Sequence, residues 1–305
     1  MKRGGVSAFQ VMTDYDYTLT MEKFNDGSTG DSSFKTIIDY DLMPKETRKL
    51  AGDLYKKYMP IERDATLSNE VKLEHLEQWW TQDLDAFTSV GFTRANFSHM
   101  VLKSKLLFRK GLIDLMHLSG KHEMPFLIVS GGIAEVIEAS LCTMQETNEV
   151  ERGSYAEKCM NNYMRIISNE FLFKEDDSAT SAPTIGYKIP MIHSGNKASF
   201  IYELEEIETM MRPNVLVMGD IVEDSRMAQS EKHDTVLKVG FMNNLDKSEA
   251  QIAEYHKAFD LIVGDDGSLC PVNHLLWQLF DSESPHLDIV REMEGFRSLE
   301  KALEF

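Results

Sequence analysis

The stretch Asp14-Tyr15-Asp16-Tyr17-Thr18-Leu19-Thr20 decides the fold, and it follows a short apolar run over residues 6–13. That run is typical of a buried strand rather than a helix. In open α/β sheets, ligands bind just beyond the carboxyl ends of the strands, which is where Asp14 and Asp16 would lie. Two carboxylates this close repel each other unless a divalent cation, a shared proton or a phosphate chemistry that uses both compensates the charge. A plain Asp-rich turn at the end of a strand is the alternative.

The composition is that of an ordinary globular protein, with 305 residues of which 42% are hydrophobic and 27% charged. The formal net charge of −18 argues against a nucleic-acid polymer or an anionic membrane as a partner, because both are negatively charged. Cys142, Cys159 and Cys270 form no CxxC pair, which favours a reducing compartment. The sequence contains no signal peptide segment and no apolar run near the ~20 residues of a membrane span. We therefore expect a cytoplasmic protein that is monomeric and has no membrane attachment.

The segment after Thr20 carries helical signals up to about residue 118. A loop is expected over residues 21–31, and apolar residues then recur with helical spacing. The predicted helices run from Lys45 to Tyr58, from Ser68 onward and from Phe97 to Phe108. A helical block between two strands predicts an inserted cap domain. We assign the cap to residues 21–109 and the catalytic core to residues 1–20 and 110–305.

Short apolar segments that alternate with helices occupy the rest of the chain. The predicted strands are 126–129, 163–168, 215–218, 236–239 and 261–263, the predicted helices include 133–141 and 199–211, and a hairpin is predicted from 170–174 and 184–190 around a turn at 176–183. This alternation predicts an α/β fold whose parallel sheet is covered by helices on both faces.

Four groups of polar residues fall at or just beyond the ends of these strands, and each has a use in phosphate chemistry. They are Asp14 with Asp16, Ser130 with the Gly131-Gly132 turn, Lys197, and Asp220 with Asp224. One Asp carboxylate can attack phosphorus while a second donates and accepts protons. Carboxylates bind Mg²⁺, backbone N–H groups that open a helix bind phosphate oxygens, and a lysine neutralises the anion. Taken singly, Lys197 is a common surface residue and Asp224 a common charge at a helix start.

Taken in this order, the motifs resemble those of the haloacid-dehalogenase-like phosphatase superfamily, and the acid at Asp16 favours a phosphatase within it. The resemblance extends to the cytosolic pyrimidine 5′-nucleotidases, including their 7-methylguanosine-phosphate-specific members, over about residues 9–280. It rests on residues 14–20, Ile37-Ile38-Asp39, residues 58–64, the helix with Trp79-Trp80, Ser130-Gly131-Gly132, Asn196-Lys197, Gly219-Asp220, the second acid Asp224, and Arg226-Met227-Ala228.

This resemblance implies a Rossmann-like core with an inserted α-helical cap, and it implies a role for each motif residue. Asp14 would be the nucleophile and Asp16 the general acid and base. Mg²⁺ would be held by the side chains of Asp14 and Asp220 and by the backbone carbonyl of Asp16, while Asp224 would orient metal-bound water. Ser130, Gly131 and Lys197 would hold the phosphate, and Glu62 in the cap would contact the base.

The cap region leaves alternatives open. Glu62 is equally well a solvated residue of the cap, because charged residues on loops usually are. Of the adjacent Trp79 and Trp80, one is expected in the core, and the other either stacks on the base or packs partly exposed. Phe34 is a weaker stacking candidate. The family usually has Ser-Ala-Gly at residues 130–132, its connection at 144–161 is usually shorter, and the tail 281–305 has no counterpart in it.

We therefore expect Mg²⁺-dependent hydrolysis of a nucleoside 5′-monophosphate (CMP, UMP or 7-methyl-GMP) to nucleoside and phosphate through an aspartyl-phosphate intermediate. One alternative is a phosphotransferase, in which another nucleoside attacks the same intermediate. The other is a non-catalytic nucleotide-binding protein with this fold. The presence of both Asp14 and Asp16 argues against that last alternative.

Overall fold

The computed structural model describes residues 4–24, 26–62, 64, 67–143, 163–175 and 181–280. The predicted connection over residues 144–161, residues 176–180 of the predicted turn and the tail 281–305 lie outside the described residues. Within those residues, no helix is both long and apolar enough to cross a membrane.

The described part of the chain contains a parallel sheet and a separate hairpin. The strands are β1 (Phe9–Thr13), β2 (Phe126–Ile133), β3 (Met164–Asn169), β4 (Phe171–Phe173), β5 (Thr184–Tyr187), β6 (Asn214–Gly219), β7 (Thr235–Met242) and β8 (Leu261–Gly264). Six of them form one sheet in the order β3-β2-β1-β6-β7-β8, in which all neighbours are parallel. β4 and β5 pair as the predicted antiparallel hairpin. The predicted α/β fold is confirmed.

β1 lies in the middle of the sheet and is buried on both sides. Because successive side chains of a strand point to opposite faces, Phe9 and Val11 join one apolar cluster and Met12 joins another. Strands that come later in the chain lie on either side of β1, with β2 and β3 on one side and β6, β7 and β8 on the other. Such a change of direction in strand order marks the edge where open α/β sheets bind ligands.

The described residues also contain ten α-helices, besides short 3-10 turns. They are α1 (Ser33–Ile38), α2 (Lys45–Glu62), α3 (Asn69–Val90), α4 (Arg94–Lys103), α5 (Leu112–Lys121), α6 (Ala134–Thr143), α7 (Lys197–Glu203), α8 (Glu205–Glu208), α9 (Glu249–Ala258) and α10 (Cys270–Phe280). The predicted start of α3 is confirmed, because the Ser68 hydroxyl accepts a hydrogen bond from the Val71 N–H as an N-cap. The predicted helix over 199–211 is interrupted, because Leu204 has an extended backbone.

The predicted bounds of two helices in the insert were wrong. α2 continues past the predicted end at Tyr58 through Pro60 to Glu62, so Glu62 lies in the last turn of a helix and not on a loop. α4 begins after Thr93, whose N–H donates to the Asn96 side chain, and ends at Lys103. The following residues run extended alongside the stretch after Asp14, and Thr20 pairs with Phe108 as an antiparallel bridge. That pairing takes residues 104–108 out of the helix.

Helices α1 to α4 lie between β1 and β2 in the chain, as the insert was predicted to do. They share one apolar cluster with the end of β2, with α6 and with β4, through residues such as Phe87, Phe97, Val136 and Phe171. A second, smaller cluster around Tyr58 and Trp79 belongs to α2 and α3 alone. The helical insert is therefore packed firmly against the sheet, while its status as a separate cap domain over residues 21–109 remains a prediction.

Candidate active site

The site lies at the carboxyl end of β1, where the sheet registers bring three motifs together. Thr13, the last residue of β1, is in register with Ile128 of β2 and Met218 of β6. The chain therefore turns into Asp14 beside Ser130 on one strand and Asp220 on the other. The Asp14 N–H donates to the Met218 carbonyl at 2.9 Å, which fixes the turn to the sheet.

Asp14 and Lys197 form a buried ion pair. The Lys197 Nζ lies 2.5 Å from the Asp14 Oδ1, and both side chains are only 7% exposed. Burial raises the pKa of the Asp14 carboxyl to about 7, although the Lys197 charge opposes the rise. Burial alone would lower the pKa of Lys197, but the Asp14 and Asp224 carboxylates outweigh burial and raise it. Lys197 therefore stays charged at neutral pH and holds Asp14 in place.

Asp224 is completely buried, and each of its oxygens has a partner. Its Oδ1 lies 2.7 Å from the Lys197 Nζ, and its Oδ2 accepts hydrogen bonds from the N–H groups of Asp220 and Ile221. The close approach depends on Gly219, because a Cβ there would lie 2.1 Å from the Cβ of Asp224. Asp224 thus shapes the loop after β6 and anchors the lysine.

Three carboxylates of the site fit a divalent cation. One oxygen each from Asp14, Asp220 and Asp224 lies within 4.8 Å of the others. Burial, followed by repulsion from Asp14 and Asp224, raises the pKa of Asp220 well above its ordinary value. The single positive charge of Lys197 does not balance three carboxylates, and hard oxygen ligands are those that Mg²⁺ prefers. Both Asp224 oxygens have hydrogen bonds of 2.7–3.2 Å, whereas the Asp14 Oδ2 has only a long 3.4 Å contact with the Thr18 hydroxyl. Asp14 and Asp220 are therefore the better candidates for direct ligands.

The side chain of Asp16 turns toward helix α1 and does not belong to this carboxylate cluster of the described residues. Its Oδ1 accepts a hydrogen bond from the Ser33 N–H and its Oδ2 one from the Ser33 hydroxyl, each at 2.6 Å. Burial raises the pKa of Asp16, and the two bonds from Ser33 oppose the rise. The role of the Asp16 backbone carbonyl as a metal ligand stays a prediction.

Ser130, Gly131 and Gly132 belong to β2 and do not form the predicted turn. The pairing of β2 with β3 shifts by two residues between Val129 and Ile133, so the three residues bulge from the strand. Side chains of β3 satisfy the carbonyls of the bulge, because Asn169 donates to Gly131 and Ser168 donates to Gly132. The Ser130 hydroxyl accepts from the Gly132 N–H at 3.0 Å. This bulge presents Ser130 and its neighbouring backbone at the carboxyl end of the strand.

Gly131 departs from the alanine that is usual in the family, and the structure accommodates either residue. A Cβ at Gly131 would lie 3.4 Å from the His193 Cα, an ordinary contact. At Gly132 a Cβ would lie 2.1 Å from the Ser33 hydroxyl oxygen. Glycine at the second position therefore leaves room for the Ser33 hydroxyl, and the first position accepts either residue.

Glu62 reaches the loop that precedes Lys197. Its Oε1 accepts a hydrogen bond from the Ser194 hydroxyl at 2.8 Å. Helix α3 approaches the same loop, because a Cβ at Gly195 would lie 2.5 Å from the Leu73 side chain. The ends of α2 and α3 thus lie close to the loop between β5 and α7.

The two tryptophans of α3 divide as the sequence indicates. Trp79 is buried and stacks on Tyr58, with ring centroids 5.9 Å apart. Trp80 is partly exposed and meets Phe34 edge to face at 5.5 Å. His193 is buried, its pKa is lowered to about 4 by burial, and its Nδ1 accepts from the Gly195 N–H. A structural role for His193 is consistent with these contacts.

Three residues near the site carry no signal in the sequence analysis. Ser33 contacts Asp16, and Asn169 binds both the β2 bulge and the Ile192 backbone. Arg109 donates to the carbonyls of the loop after Asp14. Single Ser, Asn and Arg residues have no characteristic spacing, so only their contacts in the fold reveal them.

Comparisons with known proteins place the chain in a family. It matches the family described as pyrimidine 5′-nucleotidase (UMPH-1) over residues 17–280. It is 27% identical over 279 residues to the 7-methylguanosine phosphate-specific 5′-nucleotidase of Mus musculus, a match that covers 90% of this chain and 86% of the mouse protein.

Solved structures share the fold. The crystal structure of cytosolic 5′-nucleotidase IIIB bound to cytidine superimposes with a TM-score of 0.70 and 23% identity, covering 91% of this chain and 87% of that one. A HAD family hydrolase of Salmonella enterica superimposes with a TM-score of 0.54 and 12% identity, covering 92% and 74%. The family match spans most of the residues of this chain. Asp14, Asp220 and Asp224 lie together at the carboxyl ends of the parallel strands, as predicted. The chain therefore belongs to the pyrimidine 5′-nucleotidase (UMPH-1) family and is a 5′-nucleotidase with a haloacid-dehalogenase-like α/β fold.

Proposed function

We propose that this enzyme hydrolyses nucleoside 5′-monophosphates through a covalent phosphate on Asp14, with Mg²⁺ as its metal. One observation carries the proposal. Asp14 is buried at the carboxyl end of the central strand, in contact with Lys197 and within reach of Asp220. A buried carboxylate held by a lysine beside further acids suits attack on a phosphate better than it suits a purely structural role.

In the first step, an Asp14 oxygen attacks phosphorus and the bond from phosphorus to the nucleoside O5′ breaks. The leaving O5′ takes a proton from Asp16, and the nucleoside departs. In the second step, water attacks phosphorus, Asp16 takes back a proton from that water, and the bond from phosphorus to Asp14 breaks. Phosphate leaves and both carboxyl groups return to their starting states. Transfer to a second nucleoside instead of water remains an open alternative.

The residues around Asp14 suit the binding of the phosphate group. Lys197 is buried and charged, the Ser130 hydroxyl lies at the β2 bulge, and the backbone at Gly131 is held by Asn169. Preorganised donors of this kind stabilise the charge that develops on a transferring phosphoryl group. Mg²⁺ held by Asp14 and Asp220 would supply the positive charge that Lys197 alone does not.

We further propose that Glu62 selects the base. Glu62 accepts a hydrogen bond from Ser194, which precedes Lys197 by three residues in the chain, and this contact supports a position near the nucleotide. An ionised carboxylate accepts hydrogen bonds, so it can pair with the amino group of cytosine. It can also attract the positive charge of 7-methylguanine, whereas uracil offers only its imide N–H. CMP should therefore be a better substrate than UMP, and 7-methyl-GMP a better one than unmodified GMP.

Phosphate release from a panel of nucleoside monophosphates, with Mg²⁺ and with a chelator, tests the activity. We expect turnover of CMP or 7-methyl-GMP that the chelator abolishes. Absence of turnover of every nucleoside monophosphate, with the protein folded and Mg²⁺ present, would contradict the proposal.

The role of Glu62 is tested by kcat/KM for CMP, UMP, 7-methyl-GMP and AMP in Glu62→Ala. The variant should lose discrimination worth about 1–3 kcal/mol, the scale of one polar contact. Its turnover of p-nitrophenyl phosphate should hardly change. Ser194→Ala is the matched control, because it removes the hydrogen bond between Ser194 and Glu62 without removing the carboxylate. A preference order that Glu62→Ala leaves unchanged would reject Glu62 and turn attention to Trp80 and Phe34.

We also propose that the enzyme acts in the cytoplasm. The structural relative is named a cytosolic enzyme, and a cytoplasmic location suits a substrate pool of nucleotides. That the chain acts as a monomer and binds no nucleic-acid polymer remains a prediction from the sequence.

A further inference from the structure

Ser33 is buried, and both of its hydrogen-bond donors bind the Asp16 carboxylate. Its N–H and its hydroxyl each lie 2.6 Å from a different oxygen of Asp16. A carboxylate has about four lone-pair directions, and two donors from one residue fix its rotation about the Cβ–Cγ bond. Two lone-pair directions of the Asp16 carboxylate remain available for the proton that is transferred.

The fold protects this contact. Gly132 of β2 lies against it, since a Cβ there would fall 2.1 Å from the Ser33 hydroxyl oxygen and 3.1 Å from the Asp16 Oδ2. At the contact between Ser33 and Asp16, the space beside Gly132 therefore fits the hydrogen of a glycine but not a larger side chain. The neighbouring Ser32 caps α1 through the Lys35 N–H, so the backbone that carries Ser33 is itself held.

The geometry points to Ser33 as the positioning residue for Asp16: its two hydrogen bonds orient the carboxyl group that transfers protons to and from the nucleoside O5′ and water. This inference rests on the proposed function, because it assumes that Asp16 is the acid and base. A hydroxyl can donate to an ionised Asp16 and accept from a protonated one. Ser33 can therefore keep the group oriented in both steps of the reaction.

The contact also joins the proton-transferring group to the helical insert. Ser33 is the first residue of α1, and the next residue, Phe34, packs against Trp80 and Phe87 of α3 at 5.5 and 5.3 Å. Phe34, an alternative candidate for contact with the base, is thus the residue that follows Ser33 in the chain.

The test compares Ser33→Ala with the wild type on substrates that differ in their need for a proton. Loss of one hydrogen bond to a charged group should lower kcat about tenfold for a nucleoside monophosphate or a simple alkyl phosphate. The same variant should lose less than about twofold on p-nitrophenyl phosphate, whose leaving group scarcely needs protonation. KM should change little, because Ser33 is not proposed to touch the phosphate.

Two further variants separate positioning from loss of structure. Ser32→Ala removes a hydroxyl from the adjacent residue and weakens the cap of α1, yet it should leave the ratio of the two substrates unchanged. Adding Ser33→Ala to Asp16→Asn should cause no further loss of kcat, because the proton transfer that Ser33 supports is already gone.

Equal losses on all substrates in Ser33→Ala, or a further loss in the Asp16→Asn background, would overturn the inference. Failure of the proposed function gives a different result. In that case the wild type itself turns over no nucleoside monophosphate, and the comparison of alkyl phosphate with p-nitrophenyl phosphate still decides whether Ser33 positions Asp16.

Discussion

We expect substitution of Arg109 to destabilise the loop after Asp14 more than any other single substitution does. Its side chain is 1% exposed, and its Nη1 lies 2.9 Å from the Oδ1 of Asp266, which is also buried. Its remaining N–H groups donate to the carbonyls of Tyr17, Thr18 and Thr20 and to the Asn243 side chain. Tyr17 has a φ of 61°, an unfavourable conformation for a residue with a Cβ. Arg109 therefore holds the strained loop that begins at Asp14.

The magnitude follows from these contacts. Breaking a buried ion pair by removing one partner costs about 3–5 kcal/mol, because a buried charge is left alone. Carbonyls that lose their donor add about 1 kcal/mol or more each, although Asn243 still donates to the Tyr17 carbonyl at 2.7 Å. Arg109→Met should thus lower the free energy of unfolding by about 5 kcal/mol. Arg109→Lys keeps the charge but loses the planar set of donors, so it should cost roughly half as much.

Urea unfolding of both variants at pH 7 provides the measurement. Asp266→Asn completes a double-mutant cycle, since Asn also tolerates the positive φ of 53° at this position. The double variant should be more stable than the sum of the single losses by at least about 1.5 kcal/mol. A loss below about 1 kcal/mol in Arg109→Met, as for an exposed ion pair, would refute the reasoning, and so would additive losses in the cycle.

Three further outcomes are expected. Asp16→Asn should slow turnover of CMP by about 10²–10⁴-fold and that of p-nitrophenyl phosphate much less, and equal losses in the two steady-state assays would mean that Asp16 is structural. Asp220→Asn should weaken Mg²⁺ binding on the order of tenfold or more by removing an anionic ligand, and titration calorimetry that finds unchanged affinity would remove Asp220 from the metal site. Burial raises the pKa of Asp83 to about 7, so the folded state holds this proton more tightly than the unfolded state, and stability should fall as pH rises from about 4 to 7. Asp83→Asn should remove part of that fall in thermal unfolding curves, and curves parallel to those of the wild type would contradict it.

The sheet and the main site residues could be predicted because their signals are local. A buried strand followed by acidic residues can be recognised in a short stretch of sequence. Parallel strands then bring their carboxyl ends to one edge of the sheet. Asp14, Lys197, Asp220 and Asp224 were predicted to converge, and the structure places them in direct or near contact. Their chemical roles stay predictions until tested.

Other features depend on contacts between distant parts of the chain. The β2 bulge at Ser130 exists because side chains of β3 satisfy its carbonyls, and no local pattern at residues 130–132 distinguishes it from a turn. Helix α4 ends early because the segment after it pairs with the loop that follows Asp14. Arg109, 91 residues from Thr18 in sequence, resembles any surface arginine until the fold buries it.

The most direct test of the central claim is acid quenching of the enzyme during turnover of CMP with Mg²⁺, followed by mass spectrometry of its peptides. We expect one added phosphoryl group on the peptide that contains Asp14. This group should be absent in Asp14→Asn, which should fold normally and lose essentially all turnover. An Asp14→Asn variant that releases phosphate at a rate near that of the wild type would contradict the account, as would a phosphoryl group on another residue.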